Sequence, residues 1–140
     1  MMKIRKAKKT DLKKVVELFL EESSKKPYSQ NYSLKDAKKR VGDMFNFGTI
    51  YLAFVDKKIV GFISMAGEGK EDIYIDEFWL KTEYQRKGIG SKLLVFIQKE
   101  YKKVGAKTIS VMTSKKAGAF KFYKKFKFKE DKSEVILKNT

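Results

Sequence analysis

The sequence predicts a mixed α/β domain, and three observations carry that prediction. The apolar residues recur with a period that switches between about 3.6 and 2. Gly67 and Gly69 mark a turn between two extended runs, and Gly105 stands where a helical period gives way to an extended one. Hydrophobic residues make up 42% and aromatics 14% of 140 residues, a core-forming composition. Residues 1–140 are expected to form one domain.

Residues 3–7 read as an opening strand. Thr10 or Asp11 can cap a helix whose Leu12, Val15, Val16, Phe19 and Leu20 make one stripe. The polar stretch 21–31, with the only proline, Pro27, ends it. A second helix starts at Ser33, where Ser33-x-x-Asp36 resembles a capping box with Asp for Glu, and its apolar face is Leu34, Ala37, Val41, Met44 and Phe45. Residues 49–55 and 58–65 are β-rich runs joined by Asp56-Lys57, a hairpin. Residues 72–81 form a third long strand. A helix follows to about Val104, with Leu93, Leu94, Ile97, Tyr101 and Val104 on one side, and Gly105 stops it. Residues 107–113 read as a strand, 117–126 as a helix and 134–137 as a last strand. The order is β-α-α-β-β-β-α-β-α-β.

Composition excludes several chemistries. Without Cys there is no thiolate nucleophile or Cys-ligated metal, and without His there is no histidine base or ordinary His-ligated zinc, so no metal is expected. Proton transfer falls to Asp, Glu, Tyr, Lys, backbone or water. The net charge of +16 invites a nucleic-acid reading. Two facts act against it: only Arg5, Arg40 and Arg86 among the 33 basic residues carry the fork that phosphates favour, and the lysines are spread along the whole chain. No apolar run approaches membrane-spanning length and no signal-peptide core is present, so a cytoplasmic protein without a membrane partner is expected.

The stretch 83–94, EYQRKGIGSKLL, joins a strand to a helix. Such a turn aims free backbone N–H groups and a helix dipole at one spot, where phosphate binds well. Gly88 and Gly90 let a ligand approach the backbone, and Arg86 and Lys87 add charge. The spacing is neither that of a Walker loop nor that of a dinucleotide fingerprint; what stands is Gln85-x-x-Gly88-x-Gly90.

That motif between strand and helix resembles the acetyl-CoA pyrophosphate loop of the GNAT superfamily of N-acetyltransferases. The preceding IDEFWLKTEY resembles the family's central strand, and AFKFYKKFKF resembles its A-x-x-x-Y helix. The resemblance implies a GNAT-like α/β fold, with a mixed, mostly antiparallel central sheet flanked by about four helices. It also implies acetyl-CoA as co-substrate and direct acetyl transfer to an amine in a ternary complex. Backbone amides of Arg86, Lys87, Gly88, Ile89, Gly90 and Ser91 would hold the pyrophosphate, and Gln85 belongs with them to the cofactor-binding set. The strand edge at Phe78, Trp79 and Leu80 would pair with pantetheine, and the Leu80 N–H would stabilise the oxyanion.

Tyr123 matches the tyrosine that protonates the departing thiolate, although its stripe with Ala119, Phe122 and Phe126 also suits a core residue. Asp76 and Glu77 are the candidate bases, with Glu77 ranked first. Adjacent carboxylates are disfavoured in a strand, and regular alternation sends them to opposite faces unless a bulge intervenes. The segment with Tyr28 and Tyr32 falls where the family places substrate-facing residues. Lys116 occupies the position of a cofactor-touching Asn, Lys127 that of a usual Gly, and Lys87 that of a frequent Gly. The acceptor is a small-molecule or peptide amine, and a homodimer is one option for assembly. Asp43, Glu68, Glu71, Asp72, Asp76 and Glu77 are candidates for an acidic pocket that would attract a cationic amine to so basic a protein. A non-catalytic acyl-CoA binder is the alternative.

Overall fold

The computed structural model describes residues 1–67, 71–113, 118–131, 133 and 137–139. Its elements run β1 (Met2–Lys6), α1 (Leu12–Ser23), α2 (Leu34–Phe47), β2 (Thr49–Val55), β3 (Lys58–Ala66), β4 (Asp72–Leu80), α3 (Ile89–Lys103), β5 (Thr108–Val111) and α4 (Gly118–Lys125). Short 3-10 turns at Lys9–Asp11 and Thr82–Tyr84 lead into α1 and the loop before α3.

The strands form one sheet in sequence order, antiparallel except for the last pair, β4 with β5. A parallel pair needs a crossover, and α3 provides it. The β2–β3 hairpin turns on Asp56 and Lys57, both at positive φ (48° and 68°), which suits a two-residue turn matched to strand twist. Helices α1 and α2 cover one face, where Val15, Phe19, Val41 and Met44 pack on Leu52, Phe62 and Trp79. Helices α3 and α4 cover the other, where Leu93, Leu94, Ile97 and Tyr123 meet Ile63, Met65, Ile73 and Ile75. Each such apolar side chain contributes roughly 1.5–3 kcal/mol on burial.

The helix starts differ in how they are capped. Ser33 accepts the Asp36 N–H at 3.0 Å, as its sequence suggests. Asp11 sits at the N-cap of α1 but turns backwards: its carboxylate accepts the Lys8 N–H at 2.7 Å and a forked pair of bonds from Arg5 at 2.8 and 3.2 Å. The charge-assisted pair outbids an ordinary cap bond. The fifth strand is shorter than the run 107–113 suggested. Residue 117 at the start of the last helix, and 134–136 of the expected final strand, lie outside the described residues.

Two local departures position the site. Ser64 pairs with Glu77 and Met65 with Ile75, so Asp76 is an extra residue, a bulge in β4. And β4 leaves β5 behind: their pairing covers Asp72 to Ile75 opposite Thr108 to Val111, while β4 continues to Leu80. Among the described residues no strand covers the far edge of β4 beyond Ile75.

Candidate active site

The open edge of β4 can be read group by group. The Lys81 N–H donates to the Val60 carbonyl at 2.8 Å, on the β3 side. Backbone groups alternate sides along a strand, so those of Trp79 also face β3 while those of Phe78 and Leu80 face the open edge. The Leu80 carbonyl accepts a bond from Gln85 Nε2 at 3.0 Å, which ties the first residue of the glycine motif to the strand end. The Phe78 and Leu80 N–H groups are thus presented where an extended ligand would add as a strand.

Beyond Leu80 the chain enters the loop. Arg86 and Gly88 both adopt positive φ, 61° and 82°. Gly88 carries this left-handed turn without strain, and Arg86 is held in it despite its Cβ. Gly88 is the N-cap of α3 and no side chain caps the helix, so the first-turn N–H groups of Ile89, Gly90 and Ser91 lack a side-chain acceptor. A Cβ on Gly90 would stand 3.1 Å from Leu80 Cδ1, a tight contact that Gly avoids and that Leu80 could relieve by a shift of a few tenths of an ångström. The Ile89 side chain is buried, which leaves its N–H as its contribution. Lys87 places its ammonium 5.7 Å above the Tyr84 ring. Lys116 lies outside the described residues.

The bulge answers the question of the two carboxylates. By resetting the alternation it turns Asp76 and Glu77 to the same side, the α1–α2 side, where Arg40 of α2 holds both. Arg40 donates to Asp76 at 3.1 and 2.7 Å and to Glu77 at 2.8 Å, all three being half-buried. Bonding to Asp76 first, then the charges of both carboxylates, holds the Arg40 guanidinium above its ordinary value against the opposing effect of burial. The other Glu77 oxygen accepts from Trp79 Nε1 at 2.7 Å. Sequence reasoning missed Arg40; the available signal was an arginine where lysine is the rule, since lysine lacks the fork. Replacing Arg40 by Met should cost about 1–3 kcal/mol, because two half-buried carboxylates lose their partner. A fall in Tm would report it.

Tyr123 is buried on α4, with ring centroids 6.5 Å from Phe78 and 5.4 Å from Phe122. Burial, and secondarily the nearby Tyr28, push its phenol well above the usual tyrosine range. Tyr28 is exposed and stacks edge-on against Trp79 at 4.8 Å. Tyr32 turns instead to Phe19 at 4.8 Å, inside the α1–α2 layer. The structure thus brings Phe78, Leu80, Gln85, Gly88, Gly90 and Tyr123 to one side of β4 and Asp76, Glu77 and Trp79 to the other, with Tyr28 against Trp79 but near enough to Tyr123 to act on its phenol.

The proposed acidic pocket forms only in part. Asp43 and Asp76 line one cavity of about 610 Å³ with Phe47 and Tyr74. Glu71 and Asp72 instead engage Lys107 and Thr108, and residue 68 lies outside the described set. Among the described residues no cluster of three or more carboxylates could hold a metal ion, and no helix is long and apolar enough to cross a membrane.

A family model for the acetyltransferase (GNAT) domain matches residues 16–139. No curated protein sequence matches. Among solved structures, a possible acetyltransferase from Clostridium difficile 630 aligns with a TM-score of 0.86 at 19% identity, over 100% of this chain and 98% of that one. The PaiA N-acetyltransferase from Thermoplasma acidophilum, in complex with coenzyme A, gives 0.78 at 23% identity over 96% and 93%. An aminoglycoside acetyltransferase from an uncultured soil metagenomic sample, in complex with sisomicin, gives 0.74 at 23% identity over 99% and 95%. These three likenesses are to the fold.

Proposed function

The chain belongs to the GNAT acetyltransferase family, and from that premise we propose that it transfers an acetyl group from acetyl-CoA to a primary amine by direct attack in a ternary complex. The observation that carries this reading is the open edge of β4 running into the uncapped N-terminus of α3. Acetyl-CoA fits both: its pantetheine amides can pair with the edge, and its pyrophosphate suits the helix N-terminus. Its thioester supplies the activated acetyl group.

The chain's own residues then divide the work. The N–H groups of Arg86 to Ser91 bind the pyrophosphate. From there the edge runs past Leu80 to Phe78, so the Phe78 N–H stands at the thioester end. We therefore assign it, one step deeper than the Leu80 N–H that the sequence suggested, to the charge developing on the acetyl oxygen. Leu80 anchors pantetheine. Glu77 takes the amine proton through water, using a lone pair that Arg40 and Trp79 leave free on its oxygens. Asp76, held at both oxygens by Arg40, is the lesser candidate. Tyr123 donates its proton toward the departing sulfur, and Tyr28 forms the acceptor-side wall.

The acceptor is sought by thiol release from acetyl-CoA against a panel of polyamines, amino acids, aminoglycosides and peptides. Amine-dependent release is expected with at least one class. One observation favours a second reading, a non-catalytic acyl-CoA binder: both candidate bases are already paired with Arg40. Binding of acetyl-CoA without thiol release on any amine would select it.

A further inference from the structure

We propose that Glu22 is a positioning residue: its buried carboxylate clasps the segment that carries Tyr28 to the turn that opens the phosphate-binding loop, and so sets the acceptor side of the site against that loop. The assignment of that side and that loop rests on the transferase reading above. The clasp itself rests on geometry.

Glu22 lies in the last turn of α1 and is only 4% exposed. A buried carboxylate is costly unless its oxygens are bonded. Both are. Oε2 accepts from Lys25 Nζ at 2.7 Å, and Oε1 accepts from the Thr82 hydroxyl at 2.9 Å. Lys25 Nζ also donates to Thr82 Oγ1 at 2.8 Å, so three side chains close a ring of hydrogen bonds between segments some 60 residues apart in sequence. Only Glu22 of the three is buried, so the ion pair adds little net stability of its own. What the polar ring adds is a fixed relation between the two segments.

Each end of the ring leads to a working part of the site. On one side, the Lys25 carbonyl accepts the Ser29 N–H at 2.9 Å, and the Ser23 carbonyl accepts the Gln30 N–H at 2.8 Å. These bonds fold the segment that presents Tyr28 to Trp79, whose indole in turn donates to Glu77. On the other side, the Thr82 carbonyl accepts the Gln85 N–H at 3.1 Å, and Gln85 holds the Leu80 carbonyl at the open edge. A path therefore runs from Tyr28, through its chain neighbour Ser29, to Lys25, Glu22, Thr82 and Gln85, and so to Leu80.

Trp79 is the only tryptophan, so its fluorescence reports the Tyr28 contact with no substrate present. The test compares Glu22→Gln, Thr82→Val and Lys25→Met with Tyr28→Ala, and includes Lys25→Arg, which keeps the charge. The first three should red-shift Trp79 emission and raise its acrylamide quenching toward the Tyr28→Ala values, with Lys25→Arg resembling wild type. In steady-state assays they should raise the amine KM about tenfold, the cost of a hydrogen bond to a charged group, while kcat and the acetyl-CoA affinity move less than about threefold. Unchanged Trp79 emission in folded Glu22→Gln overturns the proposal. So does a lower Tm accompanied by no change in KM, which would make the ring merely structural. If no amine is acetylated, the transferase reading fails, and the fluorescence comparison still decides the clasp.

Discussion

Tyr123→Phe is expected to lower kcat about a hundredfold while leaving acetyl-CoA affinity within about twofold. The ring keeps its place in the variant, because its contacts with Phe78, Phe122 and Phe128 are aromatic and the hydroxyl takes no part in them. What is lost is the proton donor. Burial raises the Tyr123 phenol, so the proton is present at any working pH below ~10, the ordinary tyrosine value. The same shift makes complete transfer to a thiolate (thiol pKa ~8.5) uphill, so Tyr123 acts first as a hydrogen-bond donor to the departing sulfur. It should give no alkaline limb to kcat below pH ~10. Stability carries the same signature. The unfolded chain releases this proton at a lower pH than the folded one, so the stabilisation is complete below ~10 and declines as pH rises further. A kcat unchanged by Tyr123→Phe would remove its acid role.

Gly90→Glu should weaken acetyl-CoA binding by about a hundredfold or more, near 2.8 kcal/mol. The new side chain starts in the first turn of α3 from a Cβ set against Leu80 and Phe122, and its charge there repels the pyrophosphate assigned to the N–H groups of that turn. The same charge favours the helix, since an anion at an N-terminus stabilises by about 0.3–1 kcal/mol. The variant should therefore fold once Leu80 yields a few tenths of an ångström to the added Cβ. Ser91→Glu is the companion variant, with no glycine to replace and the same expected loss. Calorimetric titration of either with acetyl-CoA reads the effect, and wild-type affinity in both would place the pyrophosphate elsewhere.

Much of the scaffold was legible because its signals are local. The apolar stripes of α1, α2 and α3, the Asp56-Lys57 turn and the Ser33 cap each depend on residues close in sequence. The glycine motif was legible for the same reason. The disposition of Asp76 and Glu77 was not, since a bulge exists only in the pairing of β4 with β3. Arg40 and the Glu22–Lys25–Thr82 ring were hidden because their partners lie 36 to 60 residues away. Arginine usage did hold a clue. In a lysine-rich chain, Arg5 and Arg40 each fork onto a carboxylate and Arg86 takes a left-handed turn in the loop. Asp11 misled in the opposite direction: its N-cap position suggested a helix cap, but Arg5 and Lys8 claim the carboxylate.

Acetyl-CoA lying along the open edge of β4, with its pyrophosphate on α3, is the claim from which the roles of Phe78, Leu80 and Tyr123 follow. Melting curves of the wild-type protein with and without millimolar acetyl-CoA address it before any acceptor is known. At ~100 times its Kd the ligand stabilises by about 2.7 kcal/mol, a rise in Tm of roughly 5–11 °C for a chain of this size. A well-folded protein whose Tm does not move in millimolar acetyl-CoA would contradict it.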